Sequence, residues 1–203
     1  KFIFPFDGEL RIDVDRNTER HAQLHAIYKH IPLILISDMI VGTFIFLVLS
    51  ISVGGWAPWA WYSLLCASCL VRAAIVYQHQ SNPRFMRLAD SRWKFLLIAA
   101  SVSGVIWGST WFILPAEASL IELGLVVLWQ CGVLAGAAAS LTIMRKLFLA
   151  FALPPIAMTA TYLLYESTDT TLVLAGAFLS YVAFIIPLGL HIGGDLNRGI
   201  FLQ

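Results

Sequence analysis

Charge is scarce in this chain. Of its 203 residues 12% are Asp, Glu, Lys or Arg, where a soluble domain carries about a quarter. A solvated globular surface is thereby excluded over most of the length. The 13 basic and 12 acidic residues nearly cancel, leaving a net charge of +1 and no basic field for nucleic acid. Cysteine is rare as well, and Cys66, Cys69 and Cys131 all fall in apolar stretches, so no oxidised framework is implied. Cys66 and Cys69 have a CxxC spacing without a second pair, which reads as polarisable packing rather than a metal site. No Ser-His-Asp set, HExxH, phosphate loop or pair of mid-membrane carboxylates occurs. Catalysis is therefore not expected within this span, and no cofactor is favoured.

What fills the chain instead is apolar: 59% of residues are hydrophobic and the mean hydropathy is +0.80. The run from Phe95 to Pro115 is free of charge, entered through Arg92, Trp93 and Lys94. At ~1.5 Å per residue it crosses a ~30 Å hydrocarbon layer. Five similar runs, near residues 32–52, 59–77, 120–144, 147–165 and 172–192, predict an all-α bundle of six transmembrane helices. Residues 1–15 read as a peripheral segment. Residues 16–31 place Leu24, Ile27, Tyr28 and Ile31 at helical spacing, which predicts an amphipathic interfacial helix. The membrane domain then covers 32–193, and 194–203 begins a linker. The chain starts at Lys1 and ends in open sequence, so it is expected to belong to a longer polypeptide.

Three connections, at 53–58, 115–119 and 166–171, contain no Lys or Arg. The remaining connections and the tails contain all of them except Arg72. The positive-inside rule therefore places both termini in the cytoplasm, with short outer turns. A stimulus from outside must then arrive through the bilayer or between helices, which favours a small apolar ligand or a bilayer property over a large hydrophilic one.

Asp38 and Arg72 stand at similar depth in the first two spans and are expected to pair, since a lone charge there is costly. Gln130 and Glu122 are expected to hydrogen-bond between helices. Trp107, Trp111 and Trp129 are candidates for an aromatic pocket wall. The ligand-binding or switch candidates are therefore Asp38, Arg72, Trp107 and Gln130. Gly104 with Gly108, and Gly132 with Gly136, repeat a small-xxx-small spacing and predict a packed hairpin of the third and fourth spans. Pro154 and Pro155 are expected to break the hydrogen-bond ladder of the fifth span and kink it. His21, His25, His30, His79 and His191 fall near the cytoplasmic face, where a metal or haem could sit. That carries one alternative reading, a membrane subunit of a redox or energy-converting complex. A small transporter using Asp38, Gln130 and the Pro154–Pro155 break is another.

One set of landmarks resembles a known family type. Arg20, Gln23, Tyr28 and Pro32 precede or open the first span, and Arg72 follows late in the second. Trp93, Phe95, Gly104, Trp107, Gly108 and Pro115 mark the third, Gly132, Ala135 and Gly136 the fourth, and Leu196, Asn197 and Arg198 the end. This order resembles the six-span membrane-associated sensor regions of bacterial diguanylate cyclases and hybrid histidine kinases. The resemblance implies a homodimer in the bacterial inner membrane, with a catalytic output domain beyond Gln203. It also implies signal relay through the sixth helix; the mechanism expected here is a shift of the kinked fifth helix and the sixth, which contains Pro187, against the glycine-packed hairpin. Gly193 and Gly194 predict an interruption of that exit helix.

Overall fold

The computed structural model describes residues 31–81, 89–115, 117–142 and 144–201, with side chains placed over 31–78, 94–115, 117–142 and 144–194. The described residues form helices and no strand. Helix α1 is Ile31–Ser52 and α2 is Ala57–Ser81. Helix α3, Ala89–Gly108, tightens into a 3-10 turn over Ser109–Phe112. Helices α4, α5 and α6 are Leu120–Ser140, Arg145–Glu166 and Asp169–Phe201. All six are long and apolar enough to cross a bilayer, which is the architecture of a multi-pass membrane protein. The expected amphipathic helix over 16–31 lies almost wholly outside the described residues.

The turns follow local chemistry. Gly54 and Gly55 adopt φ of 66° and 69°, a left-handed conformation that costs glycine little, and so reverse the chain between α1 and α2. Ser119 caps α4: its hydroxyl accepts from the Glu122 N–H, and the Glu122 carboxylate accepts from the Ser119 N–H at 2.7 Å. Glu122 thus caps its own helix and also hydrogen-bonds the Ser52 side chain at the end of α1, the interhelical contact expected of it. The capping-box spacing Ser119-x-x-Glu122 was the sequence signal for this role.

The extensive seam of the bundle is α3 on α5, not α3 on α4. A Cβ on Gly104 would overlap the Phe151 carbonyl oxygen. One on Gly108 would meet Met158 Sδ and come within 3.0 Å of Pro155 Cα. Pro155 has no N–H, so it cannot satisfy the carbonyl four residues earlier, which is that of Phe151. The oxygen left over faces the glycine backbone of α3, where a Cα–H contact is available. Helix α5 runs through both prolines without interruption. Two ladder donors are lost, as expected of these prolines, while the helix itself continues and the neighbouring helix packs against the place of the loss.

Beyond the glycines, the Trp111 indole N–H donates to Thr159 Oγ1 at 2.8 Å, and its ring stacks on Tyr162 at 4.7 Å. Both Trp111 and Thr159 are fully buried. A cycle of Trp111→Phe and Thr159→Val, measured by reversible unfolding in mixed micelles, should return a coupling of about 0.6–1.5 kcal/mol, the range of interhelical bonds inside membranes. A coupling of zero would mean that the bond adds nothing beyond packing.

Helix α6 docks on the last turn of α4. The Tyr181 hydroxyl donates to the Cys131 carbonyl at 2.7 Å. Gly189 lets α6 approach to where a Cβ would stand 3.0 Å from Thr142 Cγ2, and a Cβ on Gly193 would overlap the Thr142 carbonyl. The same four-residue glycine spacing that marks α3 thus recurs here unnoticed. Gly193 and Gly194 do not interrupt α6, which continues to Phe201. Close approach to residue 142 holds the helix where free glycines would fray.

Candidate functional site

A cavity of about 780 Å³ lies among α1, α2, α3, α4 and the start of α5. Volumes of about 300–1,000 Å³ with mostly apolar linings are usual for small-molecule sites. Along α4 its lining extends from Leu128 to the residue after the helix, Leu141, which at 1.5 Å per residue is ~20 Å. Helix α1 contributes Ile31 to Val41, or ~15 Å. The cavity is therefore elongated along the helices. It begins at the end where α4 gives way to Arg145 and Lys146, and reaches the level of Trp107.

Polar groups on this wall are few and specific. Arg72 Nη2 donates to Asp38 Oδ2 at 2.7 Å, the pair that equal depth on antiparallel helices leads one to expect. Their side chains are 16% and 15% exposed, facing the cavity they line. The same nitrogen lies 3.3 Å from Cys69 Sγ. Arg72 Nε is buried and has no partner among the described residues. The hydroxyl of Ser68 shares a 3.1 Å hydrogen bond with that of Ser103, which fixes the level of α2 against α3. From that level Arg72 lies one turn toward the basic end and Trp107 one turn the other way, a separation of ~12 Å along the bundle.

Trp107 supports the inner end of the cavity. Its indole meets Trp61 edge to face at 5.8 Å, while the Trp61 N–H donates to the Ile106 carbonyl at 2.8 Å. Gln130, 2% exposed, donates through Nε2 to the Trp107 carbonyl at 2.7 Å and to Thr110 Oγ1 at 3.1 Å. Thr110 Oγ1 itself donates to the Trp107 carbonyl. Gln130 Oε1 and Trp107 Nε1 are buried without partners among the described residues. Gln130 thus sits behind the wall, tying α4 to the end of α3.

Of the four candidate switch residues, Asp38, Arg72 and Trp107 share the cavity, and Gln130 holds its inner end from behind. Trp129 joins the wall, whereas Trp111 belongs to the α3–α5 seam. Gly132 and Gly136 line the cavity, and a Cβ on either would meet nothing within 4 Å. Their spacing therefore marks space left open, not a contact with α3. Sequence reading missed Ser37, Ser140 and Leu141 as wall residues. Ser37 precedes Asp38 directly, and that adjacency was its one signal.

His21, His25 and His30 lie outside the described residues, and the His79 side chain is likewise not described. His191 is exposed on α6. Among the described residues no group of three His, Cys, Asp or Glu could hold a metal ion. Comparison with protein-family models, curated proteins and solved structures returned no match.

Proposed function

We propose that this chain is the membrane-embedded input region of a bacterial signal-transduction protein, a histidine kinase or diguanylate cyclase, with both termini cytoplasmic and the active unit a homodimer in the inner membrane. The stimulus is a small apolar or amphiphilic molecule taken up between the helices. One observation carries this reading. The cavity lining ends at Ser140 and Leu141, and the next residue, Thr142, is the one whose carbonyl lies against Gly193 of α6. An occupant that displaces 140–141 therefore displaces the contact that seats the exit helix. Because α6 continues unbroken to Phe201, a shift at Gly193 is passed along a continuous helix.

The α3–α5 seam, closed by Gly104, Gly108 and Trp111, is the fixed part against which this happens. The fifth helix thus belongs to the frame. An occupant shifts the balance between two positions of α6 only as far as its affinities for them differ; tenfold corresponds to about 1.4 kcal/mol. Disulfide cross-linking between protomers through Asn197→Cys should change in rate or register when the cavity is filled, for instance by Gly136→Leu. Identical cross-linking with the cavity open and filled would refute relay through α6.

A further inference from the structure

We infer that the cavity selects a neutral amphiphile, with one apolar chain and an uncharged head that accepts hydrogen bonds. The inference deepens the sensory reading and takes from it that this cavity is the input site. Five features lead to it. Leu33 and Leu128 line the cavity and are also 68% and 64% exposed, so it opens sideways between α1 and α4 toward the surrounding lipid. Phe44 and Trp129, edge to face at 6.3 Å, bridge the same two helices and limit that opening. An occupant therefore partitions in from the bilayer, which favours an apolar body. The length of ~15–20 Å against a volume of about 780 Å³ suits a chain better than a compact ring system.

The head is defined by the ion pair. Asp38 and Arg72 neutralise each other at 2.7 Å, so the wall offers no net charge to an ion entering an apolar site. A carboxylate head would compete with Asp38 for the guanidinium, and an ammonium head would compete with Arg72 for the carboxylate. Either leaves one surplus charge away from water, the costly outcome for a buried pair. Arg72 lines the cavity with its side chain 16% exposed, and its Nε, enclosed by neighbouring atoms, has no partner among the described residues, so a small turn of the guanidinium toward the cavity presents a donor to an acceptor there. An ester, ketone or amide oxygen satisfies it without disturbing Asp38. The chain then runs from Arg72 toward Trp107, Leu128 and Trp129 at the inner end.

The test uses the full chain in nanodiscs of zwitterionic lipid, with four probes that differ at the head: methyl dodecanoate, dodecanoate, dodecylammonium and dodecane. Radiolabelled methyl dodecanoate should show one saturable site per chain above empty nanodiscs. Dodecanoate, dodecylammonium and dodecane should each displace it at least tenfold more weakly. Gly136→Leu and Gly132→Leu, which project into open space, should abolish the saturable binding with helix content unchanged. Arg72→Lys, which keeps the charge for Asp38 but removes Nε, should lower the preference for the ester over dodecane at least fivefold while chain binding persists.

Tighter binding of dodecanoate than of its methyl ester would overturn the neutral head. Ester binding that survives both leucine substitutions would overturn the cavity as the site. Saturable, leucine-sensitive ester binding with cross-linking at Asn197→Cys unmoved would uphold this site while the sensory reading fails.

Discussion

Replacing Gly104 by alanine is expected to destabilise the bundle by about 3 kcal/mol, whereas the same change at Gly132 should leave it within about 0.5 kcal/mol of the parent. The difference lies in what the new methyl meets. At Gly104 it would overlap the Phe151 carbonyl, a backbone atom that moves only if α5 moves. At Gly132 it would enter open cavity. Gly108 should fall between them, because the first atom met there is the flexible Met158 sulfur, although Pro155 Cα follows at 3.0 Å. Reversible unfolding in mixed micelles would order the three variants. An equal cost at Gly104 and Gly132 would mean that α3 and α5 can separate without penalty, contradicting the closeness of their seam.

Removing the Asp38 carboxylate should cost about 3–5 kcal/mol as Asp38→Ala, since it leaves a guanidinium unpaired among apolar residues. Replacing both partners, Asp38→Leu with Arg72→Met, should recover most of that loss, because no charge then remains to be desolvated. The expected pattern is strong non-additivity, read from the unfolding free energies of the two single variants and the double. If Asp38→Ala alone cost under about 1 kcal/mol, the Arg72 head would be reaching water, and the selectivity argued for the cavity would lose its basis. The pair would then be a surface feature.

The six spans were legible because hydropathy over about twenty residues is a property of the chain itself, independent of neighbours. The Asp38–Arg72 pair was legible for a related reason: depth can be counted along each helix, and two opposite charges at one depth on adjacent helices have little choice of partner. Gly104 and Gly108 were legible as a place of close approach, but the approaching helix was not. A glycine face states that a backbone comes near, and any of several apolar helices could supply it. The discriminating residue was Pro155, whose missing N–H frees a carbonyl at Phe151, though that link emerges once the two helices are seen side by side. Gly132 and Gly136 show the limit of the pattern, because an empty wall and a packed wall both call for a small residue. Gly193 and Gly194 read as a breaker since a doublet draws attention from the four-residue spacing of Gly189 and Gly193.

The pairing of α3 with α5 also bears on how the protein is made. Helices enter a bilayer in chain order, and α3 arrives well before its partner exists. Its glycine face meets lipid or a passing helix until α4 has been threaded and α5 has left the ribosome. This extensive seam is thus among the later contacts to form, and the insertion machinery must leave α4 free to lie aside so that its successor can dock.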